Sequence, residues 1–146
     1  MSKSKPSNRD HFFHFQTIPT RWMDNDVYRH INNVVYYSFF DTAVNQFLIE
    51  QNVLNIEKST FIGLVVETQC QYFSPITFPD VVTSGIRVDK IGISSVHYSV
   101  GLFREDGNLT SAQGTFVHVY VDTLSRRPTP IPKEMLAALT QISAPF

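Results

Sequence analysis

Asp24, Asp26, His30, Asn32 and Asn33 fall within one short segment, Trp22-Met23-Asp24-Asn25-Asp26-Val27-Tyr28-Arg29-His30-Ile31-Asn32-Asn33. The segment lies where a strand-like stretch gives way to a helix-like one. A helix start leaves backbone N–H groups unpaired. A carboxylate beside such a start can work with an amide that polarises an electrophile, one attacking or activating water while the other holds the developing oxyanion. Read this way, the segment is half of an enzyme's active site. The blander reading makes Asp26 a turn or capping residue.

The neighbours divide along the same lines. Asp24 and Asp26, two positions apart, form a weak metal signal without further ligands, and turn hydrogen bonding is the better reading of Asp24. A free imidazole ionises near neutrality, so a histidine such as His30 could move a proton, but a role in orienting the loop is preferred. Asn32 or Asn33 suits an N-cap, because a short amide side chain accepts from the next free N–H groups. Glu67 interrupts the apolar run Ile62 to Val66 and either faces solvent or supports a polar site. Cys70 has no adjacent base and reads as a quiet packed thiol.

These residues need elements to position them. His11 to Arg21 reads as a first strand, with Pro19 breaking the alternation. From Asn33 to about Asn52 the period becomes helical: Tyr37, Phe40, Val44, Phe47 and Leu48 recur on one side, widened by Tyr36, Ala43 and Ile49. So wide an apolar face predicts a largely enclosed helix. Four strands follow, from about Phe61 to Phe73, about Asp80 to Lys90, Ser94 to Arg104 and about Leu109 to Asp122. Glu105-Asp106-Gly107-Asn108 is a strong turn signal, since Gly and Asn tolerate positive φ. A short helix over Lys133–Thr140, with Met135, Leu136 and Leu139 on its apolar side, closes the chain after Pro128, Pro130 and Pro132. A single long helix followed by an antiparallel meander predicts an α+β fold, the sheet curled around the helix.

Composition agrees. The 146 residues suffice for one domain with a real core, residues 11–146 behind a polar, flexible lead-in of residues 1–10. Apolar residues make up 42% and aromatic residues 13%, which favours pleated, half-buried surfaces. The net charge is -1 and the 12 basic residues are scattered, which argues against nucleic acid or an anionic membrane as a partner. One cysteine allows no internal disulfide. No apolar run is long enough for a membrane span or a signal h-region, so a cytoplasmic protein is the default expectation.

The pattern aromatic-x-Asp-x-Asp-x-x-x-His-Ile-Asn-Asn-x-x-Tyr, from Trp22 through Tyr36, resembles the hotdog-fold acyl-CoA thioesterases of the 4-hydroxybenzoyl-CoA thioesterase group. Tyr72-Phe73-Ser74-Pro75 with Asp80, Ile91-Gly92-Ile93-Ser94-Ser95, and Asp122 with Arg127-Pro128 and Ile131-Pro132 are similar to later family features in the same order. The likeness runs over roughly residues 12 to 136.

The resemblance implies a five-stranded antiparallel sheet wrapped around the long helix, in a homodimer or homotetramer with sites at the dimer interface. It implies that Asp26 is the catalytic acid and that the amide of Asn33, or a close neighbour, polarises the carbonyl. Asp24, His30, Asn32 and Glu67 would support the site. For substrate, Ser94 and Ser95 would meet the pantetheine arm by analogy, and Lys90, Arg126, Arg127 and Lys133 are candidate partners for CoA phosphates. Arg29 departs from the family, which often has Gly there, and either narrows the pocket or binds substrate.

The expected function is hydrolysis of an acyl-CoA to acid and CoA, with no metal or organic cofactor. A non-catalytic acyl-CoA or acyl-carrier-protein binder on the same fold is the alternative, disfavoured by Asp26. A hotdog hydratase is disfavoured because its Asp-x-Asn-Pro-x-His spacing is absent.

Overall fold

Alternation of period 2 and period 3.6 along the chain resolves into seven regular elements in a computed structural model that describes residues 5–144. They are β1 (His14–Pro19), α1 (Asn33–Glu50), β2 (Phe61–Tyr72), β3 (Val81–Ile91), β4 (Ser95–Arg104), β5 (Ala112–Asp122) and α2 (Lys133–Gln141), with short 3-10 turns at Arg9–His11 and Trp22–Asp24. All sheet pairings are antiparallel and the order is β1-β3-β4-β5-β2. The five-stranded antiparallel sheet with a long helix packed on it is the hotdog architecture.

The meander expectation holds only for β3, β4 and β5. β2 does not pair with β3. It lies beyond β5, with Tyr72 opposite Ala112 and Phe61 opposite Asp122. Residues 73–80 therefore cross from one sheet edge to β3, and this crossover is what meets the Asp26 loop.

The core lies between α1 and the sheet, where Phe40, Val44, Phe47 and Leu48 meet Ile86, Val88, Val96, Tyr98 and Val100. Phe39 is buried as well, whereas Ile49 is 45% exposed. The enclosed-helix expectation also needs correcting: Val34, Ser38, Asp41, Thr42 and Gln46 face solvent. In α2 the inward residues are Met135, Ala138 and Leu139, and Leu136 points outward. Pro19 does not break β1 but ends it, paired with Val81.

At the β4–β5 connection the positive φ belongs to Glu105 (48°), not to glycine or asparagine. Gly107 is needed there for room instead, since a Cβ would stand 2.9 Å from the Arg104 carbonyl oxygen. On the sheet face away from α1, Phe12 is buried over Gly85 and Gly101, a register pair of β3 and β4. Within the polar lead-in, the Ser7 N–H donates to Thr110 and Gln113, and Arg9 donates to the carbonyls of Gly107 and Glu105.

Candidate active site

The loop between β1 and α1 is built by backbone pairing across itself. The Asp26 N–H donates to the His30 carbonyl at 2.8 Å, and the Asn32 N–H to the Asp24 carbonyl at 2.8 Å. Asp24 is 1% exposed. Its carboxylate accepts from the Arg21 N–H at 2.8 Å and from the Arg21 guanidinium at 2.8 and 3.1 Å. Asp24 is therefore a structural fastener, and Arg21 is the partner that sequence reasoning did not find. The loop is tied to the crossover by Ile31 N–H donating to the Ile76 carbonyl (2.8 Å) and Phe78 N–H donating to Asn25 Oδ1 (3.1 Å).

Asp26 is half-buried. Its Oδ1 accepts from the Tyr28 N–H at 2.8 Å and the His30 N–H at 3.4 Å. Its Oδ2 carries no hydrogen bond from the described residues, so one oxygen is pinned and the other is available. Helix α1 opens with Asn32 as N-cap, its side chain accepting from the Val34 N–H at 3.1 Å. The Val35 N–H donates to the Asn32 carbonyl. The Asn33 N–H has no partner among the described residues, as expected of a first-turn amide.

Asp26, His30 and Asn33 line one cleft of about 580 Å³ together with Tyr36, Tyr72 and Ser74. Tyr72 donates its hydroxyl to the Asn33 carbonyl at 3.1 Å, and its ring stands edge-on to Tyr36 at 4.9 Å. Burial pushes both phenols upward, so they remain hydrogen-bond donors at neutral pH. Neither tyrosine was read as a site residue from sequence. The signal was present, since Tyr36 closes the first motif and Tyr72 opens Tyr-Phe-Ser-Pro. Cys70 lies close by, its thiol pushed up to about 11 by burial, which leaves it unreactive.

Apart from Arg29, the remaining candidates lie elsewhere in the chain. Glu67 is exposed on the edge strand β2, beside a register shift between Val65 and Glu67. Lys90, Ser94, Ser95, Arg126 and Arg127 gather at the end of the sheet where β3 hands over to β4 and β5 ends, opposite to the Asp26 end. Lys133 opens α2 beyond them. Arg29 is exposed with φ 67°, a left-handed conformation that glycine adopts freely and other residues rarely do. Arg29 lines a second cleft, which Asp26 also borders. Asp24 being committed to Arg21, no group of three or more His, Cys, Asp or Glu among the described residues is placed to hold a metal ion. No described helix is long and apolar enough to cross a membrane.

The chain is similar to proteins of the same architecture. The PA5185 protein of Pseudomonas aeruginosa shares 48% identity with a TM-score of 0.94, over 96% of this chain and 98% of that one. The PA2801 protein of the same organism shares 26% identity at a TM-score of 0.79, over 88% and 98%. A 1,4-dihydroxy-2-naphthoyl-CoA thioesterase from Synechocystis shares the fold at a TM-score of 0.78, with 13% identity over 86% and 94%. No curated protein matches the sequence. The family model of the thioesterase-like superfamily matches residues 20–139, from the strand end before Asp26 to the last turn of α2. With that match over most of its length, the chain belongs to the thioesterase-like superfamily and is a thioester hydrolase.

Proposed function

We propose that the protein hydrolyses an acyl-CoA to the free acid and CoA, with Asp26 as the working carboxylate and the Asn33 N–H as the oxyanion donor. One observation carries this reading: the free Oδ2 of Asp26 and the unpaired Asn33 amide belong to residues lining the same cleft. A thioester carbonyl seated on the amide gains stabilisation as its oxygen becomes negative. Asp26 then either attacks the carbonyl carbon, giving an anhydride that water opens, or takes a proton from the water that attacks. In both routes the C–S bond breaks, the thiolate is protonated, and acid and CoA leave. His30 holds Asp26 through its backbone. Tyr72 holds the Asn33 carbonyl through its hydroxyl and, with Tyr36, lines the cleft with aromatic rings.

We further propose a homodimer formed along β2, able to associate again into a tetramer. Leu64, Val65 and Val66 are exposed on this twelve-residue edge strand, and long apolar edges invite pairing. Two β2 strands related by a twofold axis run antiparallel. That arrangement would bring Lys90, Ser94, Ser95, Arg126 and Arg127 of one protomer to the same side as Asp26 of the other, where they could serve CoA, and would bring Glu67 into the shared interface.

The test is hydrolysis of a panel of acyl-CoAs by wild type and Asp26→Asn, following free thiol. The reading expects turnover by wild type and a loss of roughly 10²–10⁴ in the variant. Asp26→Asn with full activity refutes it.

A further inference from the structure

A second cleft, of about 660 Å³, also borders Asp26. Trp22, Met23, Val27 and Phe78 give it a largely apolar lining, which Asn25, Asp26, Arg29 and Thr77 complete. Trp22 and Phe78 meet edge to face at 5.9 Å. Trp22, Met23 and Val27 are 77%, 74% and 89% exposed, an unusual cluster of large apolar groups in water. We propose that this cleft seats the acyl group, and that Arg29 selects acyl groups whose far end carries a carboxylate. The proposal rests on the thioesterase reading of Asp26 and names the substrate class of that site.

Three observations support the assignment. Asp26 lines both clefts, so a thioester carbonyl at Asp26 divides its substrate between them. The Asn33 cleft, lined by His30, Asn33, Tyr72 and Ser74, is the more polar of the two and suits an amide-bearing pantetheine arm. The Trp22 cleft offers the apolar surface that suits a hydrocarbon.

The second observation is charge. Asp26 and Arg29 carry the charges in this lining, but they form no ion pair with each other among the described residues. The Asp26 oxygen that is engaged takes backbone N–H groups, and the Arg29 guanidinium has no hydrogen-bond or ion partner among the described residues. A guanidinium presents a rigid fork of donors that a carboxylate matches in bidentate fashion. A largely apolar slot with such a fork in its lining complements an acyl chain ending in an anion.

The third is the backbone. Arg29 holds φ 67°, a conformation that costs a non-glycine residue roughly 1–2 kcal/mol. Strain of this kind persists where a side chain is worth keeping.

The probe pair is adipoyl-CoA and hexanoyl-CoA, equal in chain length and different in the terminal charge. Wild type is expected to favour adipoyl-CoA in kcat/KM by about tenfold. In Arg29→Ala and Arg29→Gly the ratio falls toward one, through a raised KM for adipoyl-CoA. Arg29→Glu inverts it. A ratio unmoved by Arg29→Ala overturns the proposal. So does an equal loss on both substrates that vanishes with the corresponding pantetheine thioesters, which would assign Arg29 to the CoA phosphates. Binding to Asp26→Asn separates this proposal from the reading beneath it. An Arg29-dependent preference in Kd upholds the acyl assignment even if wild type hydrolyses neither thioester, a result that would sink only the acyl-CoA hydrolase reading.

Discussion

Asp26 and His30 close on each other twice: the Asp26 N–H donates to the His30 carbonyl at 2.8 Å, and the Asp26 carboxylate accepts from the His30 N–H at 3.4 Å. The loop therefore aims the carboxylate by its own backbone, before any substrate arrives. The imidazole is not needed for this, since both bonds use His30 main-chain atoms. His30→Ala is accordingly expected to retain activity within about tenfold of wild type, well above the loss in Asp26→Asn, where a missing general base costs 10²–10⁴. Parallel kcat/KM measurements check the ranking. Equal losses in the two variants would give the imidazole a direct chemical role.

The Asn33 amide can be removed without disturbing the helix it starts. Proline is well suited to the first helical position, where its missing N–H had no intrahelical partner. The residue before it must be extended, and Asn32 already is, at φ -58° and ψ 135°. Asn33→Pro is expected to keep its melting temperature within a few degrees and to lose roughly 10²–10³ in kcat. Asn33→Ala keeps the N–H and should stay within a few-fold of wild type. If Asn33→Pro folds and hydrolyses normally, the oxyanion donor lies elsewhere.

Arg29→Gly and Arg29→Ala both delete the guanidinium, but only glycine relieves a φ of 67°. Left-handed strain of roughly 1–2 kcal/mol is set against the extra unfolded-state entropy of glycine, roughly 0.5–1 kcal/mol. Arg29→Gly should therefore be more stable than Arg29→Ala by about 1 kcal/mol in urea denaturation. Alanine being equal or better would mean that Arg29 is not strained in solution.

His118 lies in the core, 2% exposed, ringed by Tyr98, Phe116 and Tyr120, with its Nδ1 unpartnered. Burial pulls its pKa from 6.5 down to about 4. Between these values the unfolded chain binds a proton that the native ring refuses, so stability is fully present above pH 6.5 and is lost as pH falls toward 4. The loss amounts to about 3 kcal/mol. Burial lowers His11 and His14 in the same direction. His118→Phe should flatten the fall in urea midpoint between pH 7 and pH 4. An unchanged slope would place the acid sensitivity in other groups.

Legibility in the sequence followed locality. The Asp26–Asn33 segment folds on itself through bonds of short reach, so its cap, its turn and its placement at a helix start could be read from residue types. Strand existence was equally local. What escaped was non-local: β2 pairs with β5 rather than β3, and only that crossover carries Tyr72 and Ser74 to the Asp26 loop. Arg21 escaped because its value lies in a buried partner, and burial of Asp24 is a tertiary fact. The left-handed backbone at Arg29 and Glu105 was invisible because neither residue type advertises positive φ.

The notch above Gly101 tests how the N-terminal residues are held to the sheet. A Cβ on Gly101 would stand 2.6 Å from one ring carbon of Phe12 and 2.8 Å from Thr110 Cγ2. Phe12 itself is 4% exposed and stands edge-on to Phe103 at 5.8 Å. Gly101→Ala should destabilise by roughly 1–3 kcal/mol through overpacking, and Phe12→Ala by roughly 3–5 kcal/mol through lost burial and a cavity. The two changes are not independent, because truncating Phe12 empties the space that the new methyl needs. The double variant is therefore expected to cost less than the two single changes added together, by roughly 1 kcal/mol or more. Strict additivity in a denaturation cycle would mean that Phe12 does not occupy the notch in solution. Activity should survive in all three variants, since this face of the sheet lies away from α1 and from the cleft that Asp26 lines.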